Sequence, residues 1–486
     1  MAEKEAPARA DLVLRGGSVI DGTGRARHRA DLAIDDGRIV AIGELGRTVG
    51  SREIDASGRI VAPGFIDVHT HDDGLLLVDP DMSPKVSQGV TSVVIGNCGF
   101  SLAPLAPRAA LPQEFRLLGE DAIFRYPTMV SYFEALDRAP AATHIAALAG
   151  HSTLRIGAMT DLERPATPAE CAQMSRVLEA CLEAGAIGFS TGLEYPTNRA
   201  ASTDEIVAVA EALPAHRGLY VTHTRDYHDD IDGAMEEAFA IGRRVGAPVV
   251  LSHHQGDGKK NHGHAARTLA RYDRAAANQP VGLDVYPYVA GSTTIILDFV
   301  KDAERVLITW SDTVPQMAGR ELDDIAREME VDRLEAARRL QPGGAIYFVL
   351  DEGDVRRIMA HPNAMIGSDG LPFGRKVHPR LWGTFPRVLG HYARELGLFT
   401  LEEAVRKMTS LSAERFGLEG RGRIELGFAA DLVVFDAGTI IDRATYEEPA
   451  RPAAGIDWVL VAGEPVWQSG RPTGARPGRV LRHGRA

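Results

Sequence analysis

The rhythm of apolar positions changes at residue 63. Before it, short runs alternate hydrophobic and polar positions: Asp11-Leu-Val-Leu-Arg, Ser18-Val-Ile-Asp, Leu32-Ala-Ile-Asp and Arg38-Ile-Val-Ala-Ile. Asp36-Gly37 between the last two is a hairpin signal, so residues 11–62 are expected to be all β. From Pro63 onward, continuous apolar runs alternate with helix-like stretches, which implies a parallel sheet with helices packed on it. Eight runs read as strands: 64–71, 91–98, 144–151, 186–194, 219–225, 248–254, 282–288 and 364–369. The stretches 167–184, with Thr167 as N-cap and Pro168 in the first turn, and 202–213 read as helices between them. Eight parallel strand–helix units favour a closed (β/α)8 TIM-like barrel, because closure leaves no exposed edge.

Two departures from an ideal barrel stand out. Residues 289–363, between strands seven and eight, exceed what one crossover helix needs and read as an inserted lid subdomain. After the last strand come helices over 385–396 and 401–416. The β pattern then returns at Ile424-Glu425, Asp431-Leu-Val-Val-Phe-Asp and Trp458-Val-Leu-Val. The expected organisation is a small β-sandwich from residues 1–62 and 417–486, a catalytic barrel over 63–416, and the lid at 289–363.

Composition narrows the function. The chain has 486 residues, 44% hydrophobic and 25% charged, an ordinary globular balance. A formal charge of −12 and the lack of a dense Lys/Arg block argue against nucleic acid as a partner. No apolar run has the length of a membrane span, and residues 1–10 lack the apolar core of a secretory signal. A cytoplasmic enzyme is expected, and a homo-oligomer is left open. Cys171 and Cys181 fall on one helix, roughly 15 Å apart in rise, too far to bridge, so a reducing compartment follows.

The chemistry collects at strand ends, where such barrels place their active sites. The first strand ends in His69-Thr-His71, two imidazoles that share a face if the chain is extended. The other ends carry Cys98, His151, Glu194, His223, His253-His254, Tyr286, Tyr288 and Asp369. A thiolate with imidazoles favours zinc over magnesium or calcium, which prefer oxygen. Asp369 is the candidate to take a proton from an activated water and pass it to a leaving amine. His253 and His254 point to opposite faces of a strand, and periodicity leaves open which enters the barrel.

The segment Ala62-Pro-Gly-Phe-Ile-Asp-Val-His-Thr-His71, with Gly427-Phe-Ala-Ala-Asp-Leu-Val-Val-Phe435, resembles the metal-dependent amidohydrolase superfamily. More narrowly, the chain is similar to the D-aminoacylase (N-acyl-D-amino-acid deacylase) family. The similarity lies in Gly96-Asn-Cys-Gly-Phe-Ser101, Gly188-Phe-Ser-Thr-Gly-Leu-Glu-Tyr195, Asp284-Val-Tyr-Pro-Tyr-Val-Ala-Gly-Ser-Thr293, Gly367-Ser-Asp-Gly-Leu-Pro372 and His378-Pro-Arg-Leu-Trp-Gly-Thr-Phe385. The resemblance implies a tight zinc on Cys98, His223 and His253. His69 and His71 would serve a second, weaker metal position or lie beside the first. Asp369 would act as general base and acid, and Tyr286, Ser292 and Arg380 would hold the substrate carboxylate. Gln255 stands where the family commonly has lysine, and Lys259 or Lys260 would substitute for it if their loop folds inward. Tyr227 stands where the family often has glutamate. Glu194 is open as a local partner of the site, with a structural role preferred. The implied reaction is zinc-dependent hydrolysis of a small N-acyl-D-amino acid. Another amide class, such as a cyclic amide or hydantoin, is the alternative, and a non-catalytic barrel scaffold a more distant one.

Overall fold

All eight apolar runs pair in chain order. In the computed structural model, which describes residues 7–107 and 110–483, parallel strands Phe65–Asp67, Val90–Ile95, His144–Gly150, Gly188–Gly192, Leu219–His223, Val249–Leu251, Val281–Val285 and Ala364–Ile366 form one sheet. A parallel bridge between Thr70 and Gly370 joins the first strand's extension to the last, giving the expected barrel. Every residue of these strands is buried, as parallel strands covered on both faces must be. Ile66, Val68, Val94, Leu148, Val221, Val250 and Met365 fill one cluster, closed off by Leu411 and Phe416. Phe65, Val93, Ile145, Phe189, Tyr220 and Leu283 pack in another, with the helices.

The strands are shorter than their apolar runs, and His69, His71, Cys98, His253 and Asp369 follow the last residue of their strands. Gly64 and Gly96 permit close approaches at this point. A Cβ on Gly64 would lie 2.2 Å from the Thr91 side chain, and one on Gly96 would lie 2.2 Å from the Leu148 carbonyl oxygen. The helix Pro168–Ala184 starts at a capping box between Thr167 and Glu170 and stops at Gly185 in the left-handed region. The expected helix over 401–416 is two helices, Leu401–Met408 and Ser410–Phe416, broken at Thr409. The one expected over 385–396 starts earlier, at Arg380, and winds as a π-helix over Val388–Glu395, just after Pro386 interrupts the hydrogen-bond ladder.

The chain ends meet in a nine-stranded sheet. Leu432–Phe435 pairs antiparallel with Ile60–Pro63, the strand just before barrel strand Phe65–Asp67 and the His69-Thr-His71 loop. Asp36 and Gly37 both have positive φ, 46° and 68°, as a two-residue hairpin turn requires. Ile424-Glu425, expected as a strand, is a loop. Residues 289–363 hold a three-stranded antiparallel sheet, Ala290–Thr294, Arg305–Ser311 and Gly343–Phe348, with its own core that includes Ile295, Ile308, Leu322 and Leu340. Among the described residues, no helix is long and apolar enough to cross a membrane. Residues 1–6, most of the stretch read for a secretory signal, lie outside the described residues.

Candidate metal centre

Three residues at the strand ends leave the usual backbone region together. Cys98, His253 and Asp369 have φ of 53°, 31° and 48°. A non-glycine residue held there costs on the order of 1–3 kcal/mol, and such strain concentrates where side-chain direction matters more than backbone comfort. At His253 the excursion also breaks the strand's alternation. His253 turns inward, while Nε2 of its neighbour His254 meets Thr268 Oγ1 at 3.0 Å. Burial holds His254 far below the ordinary histidine range, at about 3, so it is a neutral core residue.

The inward side chains converge. His69 Nε2 lies 3.2 Å from Cys98 Sγ, and His253 Nε2 lies 3.7 Å from that sulfur and 2.9 Å from His223 Nδ1. On the other side of the thiol, Asp369 Oδ1 is 3.2 Å from His71 Nε2 and 3.5 Å from His69 Nε2. Two donor sets result, Cys98–His223–His253 and His69–His71–Cys98–Asp369, each with its ligand atoms within 4.8 Å of one another. Cys98 belongs to both.

Carboxylates behind the rings fix the ring orientation. Glu194 Oε2 accepts from His223 Nε2 at 3.0 Å, which leaves Nδ1 facing the cluster. Asp284 Oδ1 takes His69 Nδ1 at 3.2 Å and the His253 backbone N–H at 2.8 Å. Burial pushes the Cys98 thiol up, but His69, His223 and His253 outweigh it and hold the thiol well below its ordinary value, so it is a thiolate. Buried sulfur and imidazole donors aimed at one another, with their outer nitrogens committed elsewhere, fit a borderline-soft divalent cation such as zinc.

Burial also raises Asp369, yet Arg380, His69 and His71 hold it well below the usual carboxylate range. Arg380 is fully buried, with Nη1 2.9 Å from Asp369 Oδ2, Nη2 donating to Ser292 O at 3.1 Å, and its guanidinium 4.7 Å from the Tyr286 ring centroid. A cavity opens beside the cluster, walled by His223, His253, Asp369, Gln255, Tyr286 and Ser292, among others. The side chains expected around a substrate carboxylate are therefore in one place.

Other sequence expectations do not converge. His151 lies 3.3 Å from Glu205 in a buried cluster that also includes Arg155, and Tyr288 packs against His378 and Arg387. Lys259 and Lys260 do not fold inward: both are exposed and pair with Glu304 and Asp229. The Tyr227 hydroxyl accepts from Thr224 N and donates to Ser252 O, so it braces the His223 and His253 loops. Glu194 holds a cluster histidine in place through its hydrogen bond with His223. The sequence reading missed Asp284, Asp67 and Lys85. The Lys85 ammonium, wholly buried, donates to Asp67, Thr70 and Ser368 at 2.7, 2.9 and 2.8 Å, tying the His69–His71 loop to the one carrying Asp369. A carboxylate inside the apolar run Phe65-Ile-Asp-Val68 was the available signal for Asp67.

Comparison with known proteins places these features in a family context. Residues 52–467 match the model of the Amidohydrolase family. The chain is 52% identical to a D-aminoacylase of Alcaligenes xylosoxydans xylosoxydans over 471 residues, covering 97% of each chain. It is 48% identical to an N-acyl-D-aspartate deacylase of the same organism, covering 99% of this chain and 97% of the relative. The structure superposes with a TM-score of 0.95, at 47% identity, on the N-acyl-D-glutamate deacylase of Bordetella bronchiseptica complexed with zinc and a phosphonate mimic of the tetrahedral intermediate, covering 98% of this chain and 100% of that one.

Proposed function

This chain belongs to the amidohydrolase family, and from that premise we propose that it is a zinc-dependent N-acyl-D-amino-acid deacylase, hydrolysing a linear amide to a carboxylate and a D-amino acid. The carrying observation is the convergence of Cys98, His223 and His253, with Asp369 on the same cavity. Those three residues would hold the tight zinc, and His69, His71 and Asp369 would border a second position across the shared thiolate. Bound there, zinc acidifies a water and polarises the amide carbonyl.

Around that metal, each side chain has a defined task. Asp369, ionised and in reach of the cluster, takes the proton from the attacking water and delivers it to the amine nitrogen as the C–N bond breaks. Glu194 and Asp284 keep His223 and His69 with the correct nitrogen free. Tyr286, Ser292 and Arg380 form the carboxylate-binding wall, where the planar guanidinium suits a two-oxygen anion. Gln255 contributes a neutral contact where a cation would otherwise strengthen carboxylate binding.

We assign residues 1–62 with 417–486 to a β unit, 63–416 to the catalytic barrel and 289–363 to a lid that walls the cavity through Ser292. Three unpaired cysteines, one of them a cluster thiolate, support a reducing, cytoplasmic location. The test is hydrolysis of single-enantiomer N-acetyl amino acids by zinc-loaded protein, with cyclic ureides as controls. Chelator-sensitive release of the D-amino acid alone is the expected result. Turnover of cyclic ureides in place of linear amides would overturn the assignment.

A further inference from the structure

Beside the metal cluster, the cavity is also bordered by Gln255, Asp257, Phe299 and Tyr347. Two of these residues, Gln255 and Asp257, present acceptors that no donor of the described residues reaches within hydrogen-bond distance. Gln255 is 3% exposed, and its Nε2 faces the Tyr286 carbonyl oxygen at 3.5 Å. Its Oε1 is then left buried without a partner. Buried acceptors are normally satisfied, so this one is left for a ligand's donor.

The neighbouring carboxylate points the same way. Among the described residues no hydrogen bond reaches the side chain of Asp257, and the nearest imidazole nitrogen, His228 Nε2, is 3.8 Å away. Burial pushes Asp257 up to about 6, still ionised in neutral solution. His228 cannot neutralise the region. Its Nε2 also faces Glu194 at 3.5 Å and its Nδ1 faces Asp302 at 3.4 Å, so one imidazole meets three carboxylates. Among the described residues no lysine or arginine pairs with Asp257: Arg380, at the carboxylate wall, pairs with Asp369, and Lys259 and Lys260 pair on the surface. Phe299 and Tyr347 supply apolar and aromatic wall alongside, suited to an aliphatic stem.

We propose that this part of the cavity is the amino-acid side-chain subsite and that it selects a cationic, hydrogen-bond-donating side chain on an aliphatic stem, as in N-acyl-D-lysine or N-acyl-D-ornithine, while rejecting N-acyl-D-aspartate and N-acyl-D-glutamate. The inference rests on the deacylase reading and deepens it. An anionic side chain would meet the Asp257 carboxylate, acceptor against acceptor, with no paired cation to offset the repulsion. An ammonium group would satisfy that carboxylate.

The test compares kcat/KM of zinc-loaded enzyme for N-acetyl-D-lysine, N-acetyl-D-norleucine, N-acetyl-D-glutamate and N-(6-aminohexanoyl)-D-leucine, the last carrying its charge on the acyl group. Lysine should exceed norleucine by about tenfold and glutamate by more, and Asp257→Asn should bring the lysine-to-norleucine ratio towards one. Glutamate equal to or above lysine in the wild type overturns the inference, whether or not the variant folds. So does a lysine-to-norleucine ratio unmoved by Asp257→Asn, or a charge preference seen only with the aminohexanoyl substrate. Those failures leave norleucine hydrolysis intact and the deacylase reading standing. Absence of hydrolysis of every N-acyl-D substrate defeats that reading, and this inference with it.

Discussion

Glu194 Oε2 accepts a hydrogen bond from His223 Nε2 at 3.0 Å, and His223 thereby presents Nδ1 to the ring of His253 at 2.9 Å. The metal-side nitrogen of His223 is thus chosen by a carboxylate 29 residues away in the chain. An outer carboxylate of this kind fixes the tautomer and raises the ring's basicity. Glu194→Gln should weaken zinc binding by about 10- to 100-fold, measured by competition with a chromophoric chelator. An unchanged zinc affinity would remove Glu194 from this role.

Asp369 tests the division between binding and chemistry. It lies outside the Cys98–His223–His253 set, so Asp369→Asn should retain one tightly held zinc. Loss of the proposed base should lower kcat by at least about 100-fold. Metal analysis and steady-state kinetics on the same preparation decide it, and full activity in the variant would refute the assignment.

Lys85 is wholly buried among Asp67, Thr70, Asp72 and Ser368. Its removal strands two buried carboxylates in a region of low polarity. Lys85→Met should cost about 3–5 kcal/mol in chemical denaturation, in line with breaking a buried ion pair from one side. A loss below about 1 kcal/mol would show that the network relaxes or admits water.

The junction between the barrel and the terminal sheet predicts a pH dependence. His144 Nε2 meets Asp431 Oδ1 at 3.1 Å, its Nδ1 accepts from Arg479 N, and Arg421 also pairs with Asp431. Burial lowers the His144 pKa below 6.5. Burial alone would raise Asp431, yet His144 and Arg421 hold it below 3.8. In both cases the unfolded chain binds the proton more readily. Stability from His144 is therefore complete above 6.5 and declines as the pH falls below it, and that from Asp431 declines below 3.8. The denaturant midpoint should fall from pH 7 to pH 5, with a shallower slope in His144→Asn. A midpoint rising on acidification would contradict the sign.

Much of this was legible along the chain. Apolar runs of strand length between helix-like stretches determined eight parallel strands and hence a closed barrel, because burial of both strand faces is a local compositional property. The same rhythm placed Cys98, His223 and Asp369 at strand ends, and His69-Thr-His71 announced itself by spacing. Tertiary structure decided what local period cannot. The left-handed backbone at His253 overrode strand alternation and sent His253 inward and His254 to the helix side. It also decided which carboxylate meets which ring, since His69 and Asp284 lie 215 residues apart, and it drew Lys259 and Lys260 onto surface partners while leaving Gln255 in the cavity. Periodicity reports which face of its own element a side chain occupies. The partner across the barrel is set by closure of the sheet, and no single segment carries that information.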